Sequence, residues 1–109
     1  MSERSQLLKG ILEGCILSVI SKQATYGYEL SMKLQEFGLF GISEGSIYPI
    51  LLRLQKEQLI EGEMRASESG PKRKYYTLTA AGQAALAEFK DQWERIKGPV
   101  DRITGKEEG

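Results

Sequence analysis

Lys72, Arg73 and Lys74 form an unbroken cationic run behind Gly70-Pro71. Ahead of them, Ser43, Ser46, Tyr48, Pro49 and Arg53 fall where a helix would carry hydroxyls and a guanidinium away from a buried side. Ammonium and guanidinium groups attract phosphate by charge, and hydroxyls donate hydrogen bonds to its oxygens. Tyr26 adds a further hydroxyl at the opening of an earlier helical segment. The chemistry these residues offer together is the binding of a polyanion. Phe89 and Trp93 are of another kind: two aromatic rings four residues apart, on one side of a helix, suit an apolar contact.

Catalysis has little to build on. The chain contains no histidine and a single cysteine, Cys15. An imidazole base, a histidine metal site and a paired thiolate nucleophile are therefore missing. Cys15 lies in an apolar helical stretch without a neighbouring cation, which predicts a buried, inert thiol. Glu61 and Glu63 point the same way along a strand, as exposed strand carboxylates commonly do. Neither an enzyme nor a bound cofactor or metal is expected.

Charge distribution supports the polyanion surface more than total charge does. Fifteen Lys and Arg balance fifteen Asp and Glu, so no global field draws nucleic acid in. Between Ser46 and Leu78, however, six cations face four anions, and each flank is one unit acidic. Binding should then rest on specific contacts, with a modest and salt-dependent non-specific component. A chain of 109 residues, 40% hydrophobic and 28% charged, fits one soluble domain whose thin core favours self-association. It has no apolar run long enough for a bilayer and no signal-peptide layout at Met1–Gln6, so the cytoplasm is the expected location.

The elements that must position these residues follow from periodicity. Leu7-Leu8, Ile11-Leu12, Cys15-Ile16 and Val19-Ile20 repeat every four residues, which predicts a first helix with a wide apolar face. Gly10 and Gly14 lower its propensity by about 1 kcal/mol each and would let another helix approach. A second helix is expected from Thr25 or Tyr26 to Phe37, with Leu30, Leu34 and Phe37 inward and Gly38 as the stop. The third begins after Ser43 or after Ser46, both good caps. Pro49 fits the first turn easily if Ser46 is the cap and breaks a hydrogen bond, with a slight bend, if Ser43 is, and the sequence leaves both starts open. Ile47, Ile50, Leu51 and Leu54 form its inward side.

Two strands, Ile60–Ala66 and Lys72–Leu78, flank the turn residues Ser67–Pro71 and predict a hairpin. Alternation places Lys72 and Lys74 with Tyr76 and Leu78, and Arg73 with Tyr75. Arg73 is thus the best placed of the three cations to probe a groove. Thr79 caps a last helix from Ala80 to about Lys97, which Gly98-Pro99 should end or kink. Leu86, Phe89, Trp93, Ile96 and Val100 form a stripe that one small domain cannot cover. Paired with Leu8 and Leu12, that stripe predicts a homodimer. Residues 105–109 read as a flexible tail.

Three ordered motifs carry a resemblance. Tyr26-Gly27-Tyr28-Glu29-Leu30, Gly45-Ser46-Ile47-Tyr48-Pro49-Ile50-Leu51-Leu52-Arg53-Leu54 and Gly70-Pro71-Lys72-Arg73-Lys74-Tyr75-Tyr76-Thr77-Leu78-Thr79 resemble the PadR transcriptional regulators over roughly residues 5–97. The short C-terminal region is similar to their small, LmrR-like subfamily. The resemblance implies a mainly α fold with a small β-hairpin (α+β). It would be a winged helix-turn-helix over residues 1–78 and a dimerisation helix over 79–104. It also implies a homodimeric repressor on an inverted-repeat operator in double-stranded DNA. The third helix would read the major groove while the hairpin wing meets the backbone or minor groove. Tyr26, Ser43, Ser46, Tyr48, Pro49, Arg53, Lys72, Arg73 and Lys74 are the implied DNA-contacting residues. Thr77 stands where a further basic residue is common, which makes this wing less cationic. Phe89 and Trp93 would hold a planar aromatic effector, a drug or phenolic compound, between two subunits.

Two rival functions differ in class or in scope. A winged helix can dock a protein through its apolar helices, and zero net charge suits that use. A repressor without any small-molecule effector would leave Trp93 as interface packing. Salt separates the first rival from DNA binding, since only the latter weakens steeply with it.

Overall fold

The computed structural model describes residues 3–68 and 70–105. Its elements run α1 (Glu3–Lys22), β1 (Thr25–Tyr26), α2 (Gly27–Glu36), α3 (Glu44–Lys56), β2 (Ile60–Ser67), β3 (Gly70–Leu78) and α4 (Ala80–Ile103). The expected tail lies outside the described residues from 106 onward, and Gly105 turns the chain at φ +79°. The mainly α fold with a hairpin is as the sequence predicts.

One apolar core joins the elements. The four-residue repeat of α1 buries Leu12, Ile16 and Ile20 against Leu30 and Leu34 of α2, Ile47, Leu51 and Leu54 of α3, and Leu86 of α4. Ile60 and Tyr76 close it from the sheet. Cys15 is only half-buried, and burial still pushes its thiol above the usual range. Gly14, not Gly10, allows the close approach: a Cβ at Gly14 would collide with the ring of Phe89 in α4, while Gly10 faces open space.

The second helix starts later than expected. Thr25 and Tyr26 are a short strand, paired antiparallel to Tyr76 and Tyr75 of β3. The β-branched Thr25 is fully buried there, so tertiary pairing overrides the helical pattern. Phe37, expected inward, is 81% exposed. The reason is the helix end. Gly38 at φ +107° reverses the chain, and the Leu39 N–H donates to the Leu34 carbonyl at 3.0 Å, so Leu39 takes the inward place. Gln35 pins the following loop by donating to the Ile42 carbonyl at 2.8 Å.

Ser43 is the cap of α3, its Oγ accepting from the Ser46 N–H at 3.2 Å. Pro49 therefore sits inside the helix without ending it. At the other end Gln58 adopts φ +64°, an unfavourable conformation for a side chain, while the Leu59 N–H bonds the Leu54 carbonyl. The sheet order is β1-β3-β2, with an irregularity between Arg65 and Ser67 near the hairpin tip.

Thr79 caps α4, accepting from the Gly82 N–H at 3.0 Å and donating to the Gln58 carbonyl at 2.7 Å. A Cβ at Gly82 would collide with the Leu59 carbonyl, so glycine lets α4 lie directly on that backbone. Of the two outcomes expected at Gly98-Pro99, an end or a kink, the first does not occur: α4 runs through to Ile103. The residue before a proline is restricted through its Cβ, and Gly98 has none. Pro99 still removes the hydrogen bond that residue 99 would give to the Arg95 carbonyl, and its ring crowds that carbonyl.

Candidate nucleic-acid interface

Four elements bring their polar residues to one cleft of about 300 Å³. Tyr26, Gly27 and Tyr28 come from β1 and the start of α2, Glu44 and Tyr48 from α3, and Lys72, Arg73, Lys74 and Tyr76 from β3. The core fixes this convergence. Ile47 and Leu51 bury one side of α3, which turns Tyr48 and Pro49 outward. Tyr76 anchors β3 on the same core, so the cations preceding it project past the rim.

Tyr48 is held tightly for an exposed side chain. Its hydroxyl lies so near the start of α2 that a Cβ at Gly27 would be 3.2 Å from the oxygen. The hydroxyl donates to Glu44 Oε2 at 3.1 Å. Partial burial, then the Glu44 hydrogen bond and charge, push its pKa up, so it remains a neutral donor. Ser43 and Ser46 are engaged with each other, Oγ to Oγ at 3.1 Å, beside the cap.

The hairpin cations are shelved on tyrosines. The Arg73 guanidinium stands over the Tyr26 ring at 4.6 Å, and Tyr26 meets Tyr75 edge-on at 5.2 Å. Arg65 covers Tyr75 at 5.0 Å. On the other side of β3, the Lys74 stem runs over Gly62, where a Cβ would collide with it, and its amine lies 5.8 Å above Tyr76. The sidedness predicted from alternation is therefore the sidedness found. Each such contact is worth about 0.5–1 kcal/mol at an exposed site. Their larger effect is to fix where the charges point.

Arg53 stands apart from this cleft. It chelates Glu13 of α1 with two hydrogen bonds of 3.3 Å and approaches Glu57 at 3.7 Å. Its first cause of pKa elevation is the Glu13 hydrogen bond. The guanidinium expected to meet phosphate thus ties α3 to α1. Two residues absent from the sequence expectation join the surface. Arg65 is the cross-strand partner of Arg73, and Leu52 is 64% exposed on α3. Arg65 could be found only from the strand register, which the irregularity beside it obscures.

The apolar candidates divide differently. Leu12 and Leu86 belong to the core of the chain itself, which removes them from the surface offered to a partner. Leu8 and Phe89 are half-buried, and Phe89 lines a shallow cleft of about 210 Å³ with Gly14 and Leu17. Trp93, 39% exposed, lies one turn further out, followed by exposed Ile96, Val100 and Ile103. A separate cavity of about 420 Å³ opens between α1 and α2, lined by Cys15, Val19, Leu34, Phe37 and Leu39 among others. Among the described residues, no group of three or more cysteines and carboxylates is arranged to hold a metal ion. No described helix is long and apolar enough to cross a membrane.

Residues 16–88 match the family described as the transcriptional regulator PadR-like family. A PadR-like transcriptional regulator of Bacillus cereus has the same fold at a TM-score of 0.84 with 55% identity, covering 94% of this chain and 99% of its own. The transcriptional regulator Rv3488 of Mycobacterium tuberculosis is 33% identical over 85 residues, 78% of each chain. PadR of Bacillus subtilis, crystallised in complex with operator DNA, matches at a TM-score of 0.66 and 26% identity, covering 72% of this chain and 46% of that one.

Proposed function

The chain belongs to the PadR-like family of transcriptional regulators, not enzymes, and from that premise we propose a homodimeric, cytoplasmic repressor that binds an inverted repeat in double-stranded DNA. The observation that carries this is the convergence of Tyr48, the start of α2 and the three β3 cations on one cleft. In this arrangement α3 enters the major groove with Tyr48, Pro49 and Ser46 outward, while Lys72, Arg73 and Lys74 grip phosphates alongside. Arg65 joins Arg73 in that role. Two cations directly opposite each other on a hairpin repel; Glu63, 3.3 Å from Arg65, offsets part of that repulsion, and a phosphate between the two would turn the rest into attraction. The Bacillus subtilis complex with operator DNA supports DNA as the partner.

The outer half of α4 supports the dimer. Trp93, Ile96, Val100 and Ile103 present an apolar stripe that the chain does not cover. Two such helices, packed together or onto the half-buried Leu8 and Phe89, would remove it from water. The two α3 helices then address half-sites about 34 Å apart, or a multiple of that. In the small, LmrR-like manner, a flat aromatic drug or phenolic compound would bind between subunits against Trp93 and Phe89. It lowers DNA affinity only if it prefers the arrangement of subunits that fits the operator poorly.

Selection of genomic fragments by the purified protein at near-physiological salt tests the proposal. Enrichment of a short inverted repeat is the expected result. A folded dimer that enriches nothing, at any salt, would rule it out.

A further inference from the structure

An acidic side chain in a cleft meant for phosphate requires an account. Glu44 lines the same cleft as Lys72, Arg73 and Lys74, yet among the described residues it forms no ion pair with any of them. An acid in the first turn of a helix is ordinarily explained by the helix dipole. Here the side chain does something more specific. Its carboxylate runs along the outer face of α3 to accept a hydrogen bond from the Tyr48 hydroxyl, one turn ahead, instead of returning to a backbone N–H.

The hydroxyl has one proton, and that limits what the pair can do. While Tyr48 donates to Glu44, it cannot also donate to a phosphate oxygen. Phosphate has only acceptors, so it repels the carboxylate as well. Once DNA excludes water from the cleft, the second carboxylate oxygen needs a donor or costs affinity. On the major-groove edge of a base pair, the available donors are the exocyclic amino groups of cytosine and adenine. The first residues of a helix in that groove are the ones that reach base edges.

We propose that Glu44 is a specificity-determining residue, held in place by Tyr48, that reads an exocyclic base amino group, cytosine N4 or adenine N6, in each half-site. This rests on the DNA-binding function proposed above. Tyr48 is then a positioning residue for a base contact rather than a phosphate donor. The carboxylate also explains how a weakly charged protein avoids random DNA: away from its matching base it repels the duplex.

The test is selection from a library of randomised half-sites with wild type, E44A, E44Q and Y48F, each first shown to melt as wild type does. Affinities for a selected site and for random DNA are then measured over a range of salt. Wild type should demand C or A at one position per half-site, and the base found identifies which amino group is read. E44A should lose that demand, by about 5- to 100-fold in discrimination, while binding random DNA more tightly. E44Q, whose amide can donate as well as accept, should admit G or T at the same position. Y48F should relax that position alone. Unchanged preference in E44A, with DNA binding intact, overturns the inference and leaves the DNA-binding function standing. A uniform loss of affinity in Y48F, without change in preference, makes Tyr48 a phosphate donor and likewise overturns it. Absence of DNA binding by wild type removes both.

Discussion

Two helices of this chain present faces that the domain does not use for itself, and the chemistry of those faces differs. On α3 the outward residues are Tyr48, Pro49, Leu52 and Lys56, beside a cleft bordered by the cations of β3. On the outer half of α4 they are Trp93, Ile96, Val100 and Ile103. Three polar groups on or beside the first face are already held by a neighbour: Tyr48 by Glu44, Arg73 by Tyr26, Lys74 by Tyr76. On the second, ion pairs such as Arg95–Asp91 and Lys97–Glu94 run along the helix, and the apolar stripe between them contacts nothing comparable. A preorganised polar face suits a rigid polyanion, whereas an uncovered apolar stripe suits burial against a second chain. The contrast is the reason for proposing two different partners for the two faces.

The comparison can be broken most severely at the joint both faces depend on. Gly82→Ala drives a methyl into the Leu59 carbonyl, and the seat of α4 on the α3–β2 connection should give way. A loss of about 3 kcal/mol, some 15 °C in Tm, is expected in a thermal melt monitored by circular dichroism. Next in size is the apolar stripe alone. Ile96→Asp with Val100→Asp should leave each chain folded but monomeric by light scattering. Operator affinity should then fall about 100-fold as bivalent binding is lost. A double variant that stays dimeric would detach the stripe from assembly.

Arg73→Ala sharpens the other side. Operator affinity should fall about tenfold, equally across sequences, and the salt dependence should lessen by about one ion, with the dimer intact. Fluorescence anisotropy at several salt concentrations measures both. The smallest effect touches neither face. Gln58→Gly relieves the positive φ at the end of α3 and should raise stability by about 1 kcal/mol at unchanged DNA affinity. A melt that does not move upward would show that the greater chain entropy glycine loses on folding matches the strain relieved.

What could be read from the sequence shares one physical trait: it depends on neighbours within a few residues. The four-residue repeat of α1, the Thr79 cap, the Gly38 stop and the alternation that separates Arg73 from Lys74 are of this sort. What escaped is set across the fold. Arg53 meets Glu13 across 40 positions of chain, and nothing in either segment announces the pair. Thr25-Tyr26 becomes a strand only because β3 arrives beside it. Phe37 loses its inward place to Leu39 through a reversal whose hydrogen bonds are invisible to periodicity. The choice of Ser43 over Ser46 as cap, with Pro49 tolerated inside, was likewise not legible, because both serines are good caps and periodicity does not separate them. For the site, the residue types were apparent, but the Tyr48–Glu44 contact needed the helix start to be known first.

The length of α4 has a mechanical consequence. Twenty-four residues of helix make a rod of about 36 Å, clamped at one end where Gly82 lies on the Leu59 backbone and Phe89 on Gly14. In the proposed dimer, a molecule wedged beside Trp93 acts partway along that rod. About 21 Å of that rod lies beyond Phe89, so a tilt of about 9° at the clamp sweeps the far end through about 3 Å, close to the spacing of successive base pairs. Such a rod works as a lever: a displacement too small to disturb either domain is enough to put two reading heads out of step with the turns of the duplex.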